Sequence, residues 1–302
     1  MALIFDIKRY AINDGPGIRI TIFMKGCPLS CVWCHNPEGI RVSPEKLYTK
    51  KKCIGCKSCV DACPHQALML TPDGIVTNEE LCTLCGKCVD VCPTKAMEMS
   101  GTNYSVDQLM QEIVKETAFM DQSSGGVTFC GGEPLMHPDM LLDLLYRCGE
   151  EGIHRVVDTT LYAKPEVVNK VLDNCEMFLI DLKHMDSEKH RQFCGVPNER
   201  ILSNIKMISE GGADFFIRIP LIEGVNADEE NIKRSAEFLS SISWERKTVN
   251  LLPYHDIGKN KHEKLGTLYN RRAISMSTPS EEIQERTISI FKEYGIHALI
   301  GG

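Results

Sequence analysis

The sequence predicts an α/β protein, a partial (β/α)6 parallel-stranded barrel with a small cysteine-rich module inserted near its N-terminus. Three observations carry this prediction. Six short apolar or β-branched runs alternate with helix-length segments; polar residues with ligand chemistry follow several of those runs; and an eight-cysteine internal repeat interrupts the pattern after the first run. Apolar runs short enough to be buried on both faces, alternating with helices, belong to parallel sheets. Such sheets collect their chemistry at the carboxyl ends of the strands.

Ile20 to Met24 is the first of the six runs, and Cys27-Pro-Leu-Ser-Cys31-Val-Trp-Cys34 follows directly on it. Two copies of C-x2-C-x2-C-x3-C-P come next, Cys53, Cys56, Cys59, Cys63 and then Cys82, Cys85, Cys88, Cys92, ending at Pro64 and Pro93 and offset by 29 residues. Pro72-Asp73-Gly74 marks a turn between them. Residues 1–46 and 100–302 are therefore expected to form the barrel and 47–99 the insert. Ser105, with Gln108 in capping-box spacing and apolar Val106, Leu109, Met110, Ile113 and Val114, predicts an amphipathic helix. The remaining strands are expected at Val127-Thr128-Phe129, Val156-Val157, Met177 to Leu182, Phe215 to Ile219 and Val249 to Leu252, with helices such as Asp139 to Cys148 and Glu229 to Leu239 between them.

Composition narrows the function. A net charge of −7 without a long Lys/Arg block offers no footprint for nucleic acid. No apolar run is long enough to cross a bilayer and Met1 to Arg9 does not read as a signal peptide, so a soluble cytoplasmic protein is expected. Fifteen cysteines bunched at two- and three-residue gaps then point to metal or cluster ligation rather than disulfides. Cys130, Cys148, Cys175 and Cys194 stand apart and are expected to be structural.

The C-x3-C-x2-C loop lets three thiolates surround one metal centre. Three ligands on a four-iron cluster leave one iron free for a substrate; a structural zinc site, closed by His35, is the alternative. The loop resembles the signature of the radical S-adenosylmethionine superfamily. Asn13-Asp-Gly-Pro-Gly-Ile-Arg19 and Trp33-Cys-His-Asn-Pro37 resemble in particular the enzymes that activate glycyl radical enzymes. The resemblance implies that Cys27, Cys31 and Cys34 hold a [4Fe-4S] cluster whose open iron chelates S-adenosylmethionine. Its reductive cleavage gives a 5′-deoxyadenosyl radical that takes hydrogen from a glycine of the partner. Trp33 is then expected beside the cluster or the adenine, with simple core filling as the alternative.

Further sites follow from the same resemblance. Gly131-Gly132-Glu133, after the second run, is expected to receive the methionine amino group, with the glycines allowing close approach. Lys183 is expected to meet the methionine carboxylate, while Asp158, Thr159 and Asp181 hold a monovalent cation; surface ion pairing or helix capping is the plain alternative. His255, after the sixth run, is expected at the ribose or the target glycine. Asn36, Arg218 and Asn226 lie in similar contexts. Asp158-Thr-Thr-Leu-Tyr162 departs from the Glu-Thr segment of many relatives, which leaves the role of Asp158 open.

The paired repeats resemble bacterial ferredoxins, in which the last cysteine of each run crosses to the other cluster. One [4Fe-4S] cluster is then expected on Cys53, Cys56, Cys59 and Cys92, and a second on Cys82, Cys85, Cys88 and Cys63, three in all. An electron relay is the expected role, with docking or structure as the competitor. The expected partners are a glycyl radical enzyme and a low-potential donor such as flavodoxin or ferredoxin, in an anaerobic host. Another radical reaction on a peptide or small molecule, or a bare electron carrier, are the competing functions.

Overall fold

The computed structural model describes residues 2–301. The chain opens on β1 (Ala2–Ala11) and β2 (Arg19–Met24). The module contributes β3 (Glu45–Tyr48), α1 (Ser58–Asp61), β4 (Leu68–Thr71), β5 (Gly74–Thr77), α2 (Lys87–Asp90) and β6 (Met97–Ser100). Then come β7 (Thr102–Tyr104), α3 (Val106–Val114), α4 (Thr117–Ser123), β8 (Gly126–Gly131), α5 (Pro138–Glu150), β9 (His154–Thr159), α6 (Pro165–Leu172) and β10 (Met177–Asp181). The chain closes with α7 (Ser187–Cys194), α8 (Glu199–Glu210), β11 (Asp214–Leu221), α9 (Glu229–Ser240), β12 (Thr248–Pro253), α10 (Gly258–Lys264), α11 (Glu281–Glu293) and β13 (His297–Ile300).

The main sheet runs β13-β12-β11-β10-β9-β8-β2-β1-β7. From β2 to β13 every pairing is parallel, and β1 and β7 join antiparallel at the other edge. The order from β8 to β13 never reverses, so each crossover winds the same way. Since crossovers are right-handed, the helices collect on one face and the sheet curls around the other, leaving an open barrel with unpaired edges at β13 and β7. The six expected strands are β2 and β8 to β12. β1, β7 and β13 were not foreseen: β1 carries Asp6, Lys8 and Arg9 in an otherwise apolar run, and β7 and β13 are edge strands of three and four residues.

Strand periodicity divides the core from the site. Along β11, Phe215, Ile217, Ile219 and Leu221 are buried in the helix-facing core, while Phe216, Arg218 and Pro220 alternate with them toward the barrel interior. β10 does the same with Phe178 and Ile180 against Met177, Leu179 and Asp181. The Ser105 capping box forms as expected, with Ser105 N donating to Gln108 Oε1 at 2.8 Å and Gln108 N to Ser105 Oγ at 3.2 Å. Arg19 forms the barrel floor. Its guanidinium donates to Thr128 Oγ1 at 2.7 Å, Val127 O at 2.6 Å and Pro16 O at 2.9 Å, and burial pulls its pKa down to about 10.

In the module, β3 and β6 pair as an antiparallel stem, and β4 and β5 form a hairpin around the expected turn. Cys59, Leu68, Ile75 and Met97 make a hydrophobic cluster of its own. The stem is tied to the barrel by the fully buried Lys25, whose ammonium donates to Glu45 at 2.9 Å.

His184, only 2% exposed, accepts the Asp186 amide at Nδ1 (2.9 Å), and burial pulls its pKa down to about 4. Protonation is therefore easier in the unfolded chain, near the ordinary value of about 6.5. The stabilisation from neutral His184 is complete above that value and is lost as pH falls toward 4. Denaturant midpoints should fall over this window, and His184→Asn, which retains an acceptor but does not titrate, should flatten the slope.

Candidate cluster and cofactor site

The carboxyl ends of β2, β8, β9, β10, β11 and β12 meet around a cavity of about 260 Å³. Cys27, Cys31 and Cys34 line it together with Trp33, Gly131, Gly132, Asp158, Thr159, Asp181, Lys183 and Arg218. The loop is fastened on both sides. Cys27 N donates to Ile40 O at 3.0 Å, while Ser30 N and Val32 N donate to Cys194 O and Phe193 O at the end of α7, at 2.7 and 3.0 Å.

Burial pushes the Cys27 thiol up and Cys34 up to about 12, and neighbouring Cys31 adds to both. Cys31 is held below its ordinary value, first by a hydrogen bond with Cys194. The raised thiols of Cys27 and Cys34 need a strongly positive group to become thiolates, as iron supplies. The three thiols line one cavity, which suits the spaced irons of a cluster.

Gly131 and Gly132 are needed for a reason the sequence did not show. A Cβ at Gly131, where φ is +120°, would lie 2.4 Å from Met24 N, and one at Gly132 would lie 2.2 Å from Gly26 O and 2.3 Å from Gly39 O. The glycines thus let the β8 end pack against the backbone that leads into the cysteine loop. Glu133 departs from expectation. It is fully buried and is not among the residues lining the cavity. Its carboxylate accepts from Thr159 Oγ1 (2.7 Å), Thr160 N (2.8 Å), Thr160 Oγ1 (2.6 Å) and Leu135 N (3.1 Å). Burial pushes its pKa up against these donors. Both oxygens are occupied within the protein, so Glu133 joins the ends of β8 and β9.

Two ion pairs cross the cavity, Arg218 to Asp158 at 2.8 Å and Lys183 to Asp181 at 2.9 Å. Burial pushes Asp158 up, with Arg218 opposing. For Asp181 the nearby Lys183 and Arg218 outweigh burial and hold it below the carboxylate range. Lys183 keeps its proton, because Asp181 and the thiols of Cys31 and Cys194 more than offset its burial. Both carboxylates expected to share a monovalent cation therefore already have side-chain cations.

Trp33 packs with Phe193, Cys194, Ile222 and Val225, and it faces the cavity. His255 is displaced from expectation: it is exposed, does not line the cavity, and stacks on His35 with ring centres 4.0 Å apart. His35, Asn36 and Tyr254 line the cavity instead. Asn226 is fully buried and braces the backbone, accepting from Ile222 N at 2.8 Å and donating to Lys183 O at 2.9 Å. Of the four isolated cysteines, Cys148 is core, whereas Cys130 lines the cavity and Cys194 touches Cys31.

α10 closes the outer side of the loop. Lys261 donates to Asn36 and Glu38, each at 2.7 Å, and a Cβ at Gly258 would lie 2.5 Å from the Cys34 carbonyl oxygen. Gly258→Ala should push α10 off the loop, costing about 1–3 kcal/mol as an overpacked contact. Thermal melts of the two proteins check this.

Each set of four module cysteines predicted by the crossing pattern surrounds its own small cavity. Cys63, Cys82, Cys85 and Cys88 line one, and Cys53, Cys56, Cys59 and Cys92 the other. The donor chemistry, four thiols per cavity with the fourth taken from the other repeat, fits a pair of cubane clusters.

The chain matches the family model of the radical SAM superfamily over residues 80–236 and that of a 4Fe-4S dicluster domain over residues 52–96. It is 43% identical over 303 residues to the trans-4-hydroxy-L-proline dehydratase activating enzyme of Clostridioides difficile, covering 99% of each chain. It is 40% identical to the choline trimethylamine-lyase activating enzyme of Oleidesulfovibrio alaskensis, over 89% of this chain and 88% of that one. A crystal structure of a domain of pyruvate-formate lyase-activating enzyme from Bacteroides vulgatus matches with 56% identity and a TM-score of 0.51, over 59% of this chain and 99% of that one. Among the described residues no helix is long and apolar enough to cross a membrane. With the radical SAM model matching just over half of the chain, the dicluster model matching the module, and a relative aligned end to end, the chain belongs to the radical S-adenosylmethionine superfamily, among the activating enzymes of glycyl radical enzymes.

Proposed function

We propose that this chain cleaves S-adenosylmethionine at a [4Fe-4S] cluster held by Cys27, Cys31 and Cys34 and installs the radical on a glycine of a partner enzyme. The observation that carries the assignment to these residues is the single cavity shared by the three thiols, the Gly131-Gly132 backbone and the two ion pairs. A cluster held by Cys27, Cys31 and Cys34 would, when reduced, supply one electron to the sulfonium, whose carbon–sulfur bond would break to give methionine and the 5′-deoxyadenosyl radical that would take hydrogen from the glycine. The residues position and screen. Lys183 offers its ammonium to the methionine carboxylate, and Asp181 holds Lys183 in place. The Gly131-Gly132 backbone faces the methionine amino group, with buried Glu133 adding negative potential behind it rather than direct contact. Arg218 satisfies Asp158 in place of a monovalent cation. Trp33 and Tyr254 are the aromatic faces available to the adenosine. His255 acts from the rim, through its stack on His35.

The division into 1–46, 47–99 and 100–302, the total of three clusters, an external low-potential donor such as flavodoxin or ferredoxin, and the consequent oxygen sensitivity belong to the same proposal. The partner to assay first is a trans-4-hydroxy-L-proline dehydratase, because the relative that activates one aligns with the whole chain. Anaerobic reconstitution followed by reduction with S-adenosylmethionine present tests the proposal. Formation of 5′-deoxyadenosine supports it, and its absence at full iron content refutes it.

A further inference from the structure

The module repeats itself, yet its stem treats the two halves differently. Each half aims the same backbone donor at its crossing cysteine: Ala67 N at Cys63 Sγ and Ala96 N at Cys92 Sγ, both at 3.2 Å. Each cavity also has one lysine of the repeat on its wall, Lys87 or Lys57. The stem breaks this balance. β3 pairs Lys46 with Met99 and Tyr48 with Met97. Residues two apart on a strand share a face, and the two cross-strand pairs lie one over each cavity. Lys46 and Met99 line that of Cys63, Cys82, Cys85 and Cys88, and Tyr48 and Met97 that of Cys53, Cys56, Cys59 and Cys92.

Lys46 is half-buried, and its ammonium donates to Thr77 Oγ1, which restrains it near the cavity. It shares the wall of that cavity with Cys63 and Cys88. The Tyr48 hydroxyl accepts the Ile75 amide at 3.0 Å and shares the wall of the other cavity with Cys53. Ser58 adds a hydroxyl contact to Cys56 at 3.4 Å. One thiol set therefore faces a full positive charge from the stem and the other faces neutral hydroxyls.

Reducing a cluster adds one negative charge, which a nearby cation stabilises more than a neutral dipole does. We propose that Lys46 makes the cluster on Cys63, Cys82, Cys85 and Cys88 the more easily reduced of the module's two. Glu45, next to Lys46, is bound to Lys25, two residues before Cys27. The Lys46 cavity is thus at the end of the stem nearer the three-cysteine loop, where a stored electron is most useful. The inference rests on the reading that each thiol set holds one [4Fe-4S] cluster.

The test is a redox titration with dithionite, followed by electron paramagnetic resonance, on full-length Cys31→Ala protein reconstituted with iron and sulfide, so that only module clusters report. Adding Cys85→Ala identifies the signal from the Lys46 side. That signal should have the higher midpoint. Lys46→Gln should lower it alone, with a roughly tenfold change in the reduced-to-oxidised ratio at fixed poise, ~59 mV for one electron. Lys46→Arg should preserve it, and Lys46→Met is a second neutral variant should Lys46→Gln lose iron. A lower midpoint on the Lys46 side, equal shifts of both midpoints, or no shift at full iron content overturns the proposal. Iron below that of two clusters in the Cys31→Ala parent overturns the two-cluster reading and the proposal with it.

Discussion

Cys31→Ala is expected to abolish 5′-deoxyadenosine formation while most of the iron stays bound in the module. Cys31 is the middle thiol of the loop, its pKa is held low beside Cys194 and Lys183, and its sulfur opens onto the common cavity. Removing it leaves only Cys27 and Cys34, whose buried thiols resist ionisation and cannot by themselves hold a cluster. The module cysteines line separate cavities and lose nothing. The loss should be at least on the order of a thousandfold, equivalent to about 4 kcal/mol. Iron analysis beside product chromatography checks both halves: a parallel fall in module iron would indicate collapse of the fold instead.

Lys183→Met should weaken S-adenosylmethionine binding by about 10- to 100-fold. The substitution removes the proposed partner of the methionine carboxylate and leaves the largely buried Asp181 without its 2.9 Å ion pair. Losing one side of a hydrogen-bonded charge pair costs roughly 2–5 kcal/mol. Part of that appears as lost stability, because Arg218, already paired with Asp158, only partly relieves Asp181. Lys183→Arg should recover part of the affinity by restoring the charge. Equilibrium binding and melting temperature, measured on the same preparations, separate the effect on the ligand from the effect on the fold.

The two levels of this protein were legible to different degrees. The six parallel strands could be read because each is an apolar run bounded by polar residues, and the helix at Ser105 because its cap is local. The fourfold cysteine sets could be read because the paired repeats resemble those of bacterial ferredoxins, in which the last cysteine of each run crosses to the other cluster. The hydrogen bonds of Glu133 were hidden because its partners, Thr159 and Thr160, lie 26 and 27 residues away at the end of the next strand. Arg218 as the counterion of Asp158 was hidden for the same reason, at a separation of 60 residues. The end of β12 was found, but Tyr254 and His255 lie in the irregular segment after Pro253, where strand periodicity no longer sets direction; Tyr254 faces the cavity and His255 meets His35. β13 escaped because four residues at a half-exposed edge carry little periodic signal.

The most direct measurement is electron paramagnetic resonance on an anaerobic mixture of this reconstituted protein, a reductant, S-adenosylmethionine and a trans-4-hydroxy-L-proline dehydratase. The account predicts a glycyl radical on the dehydratase that grows in proportion to 5′-deoxyadenosine and is absent with Cys31→Ala. 5′-Deoxyadenosine formed without a radical on any glycyl radical enzyme supplied would contradict it.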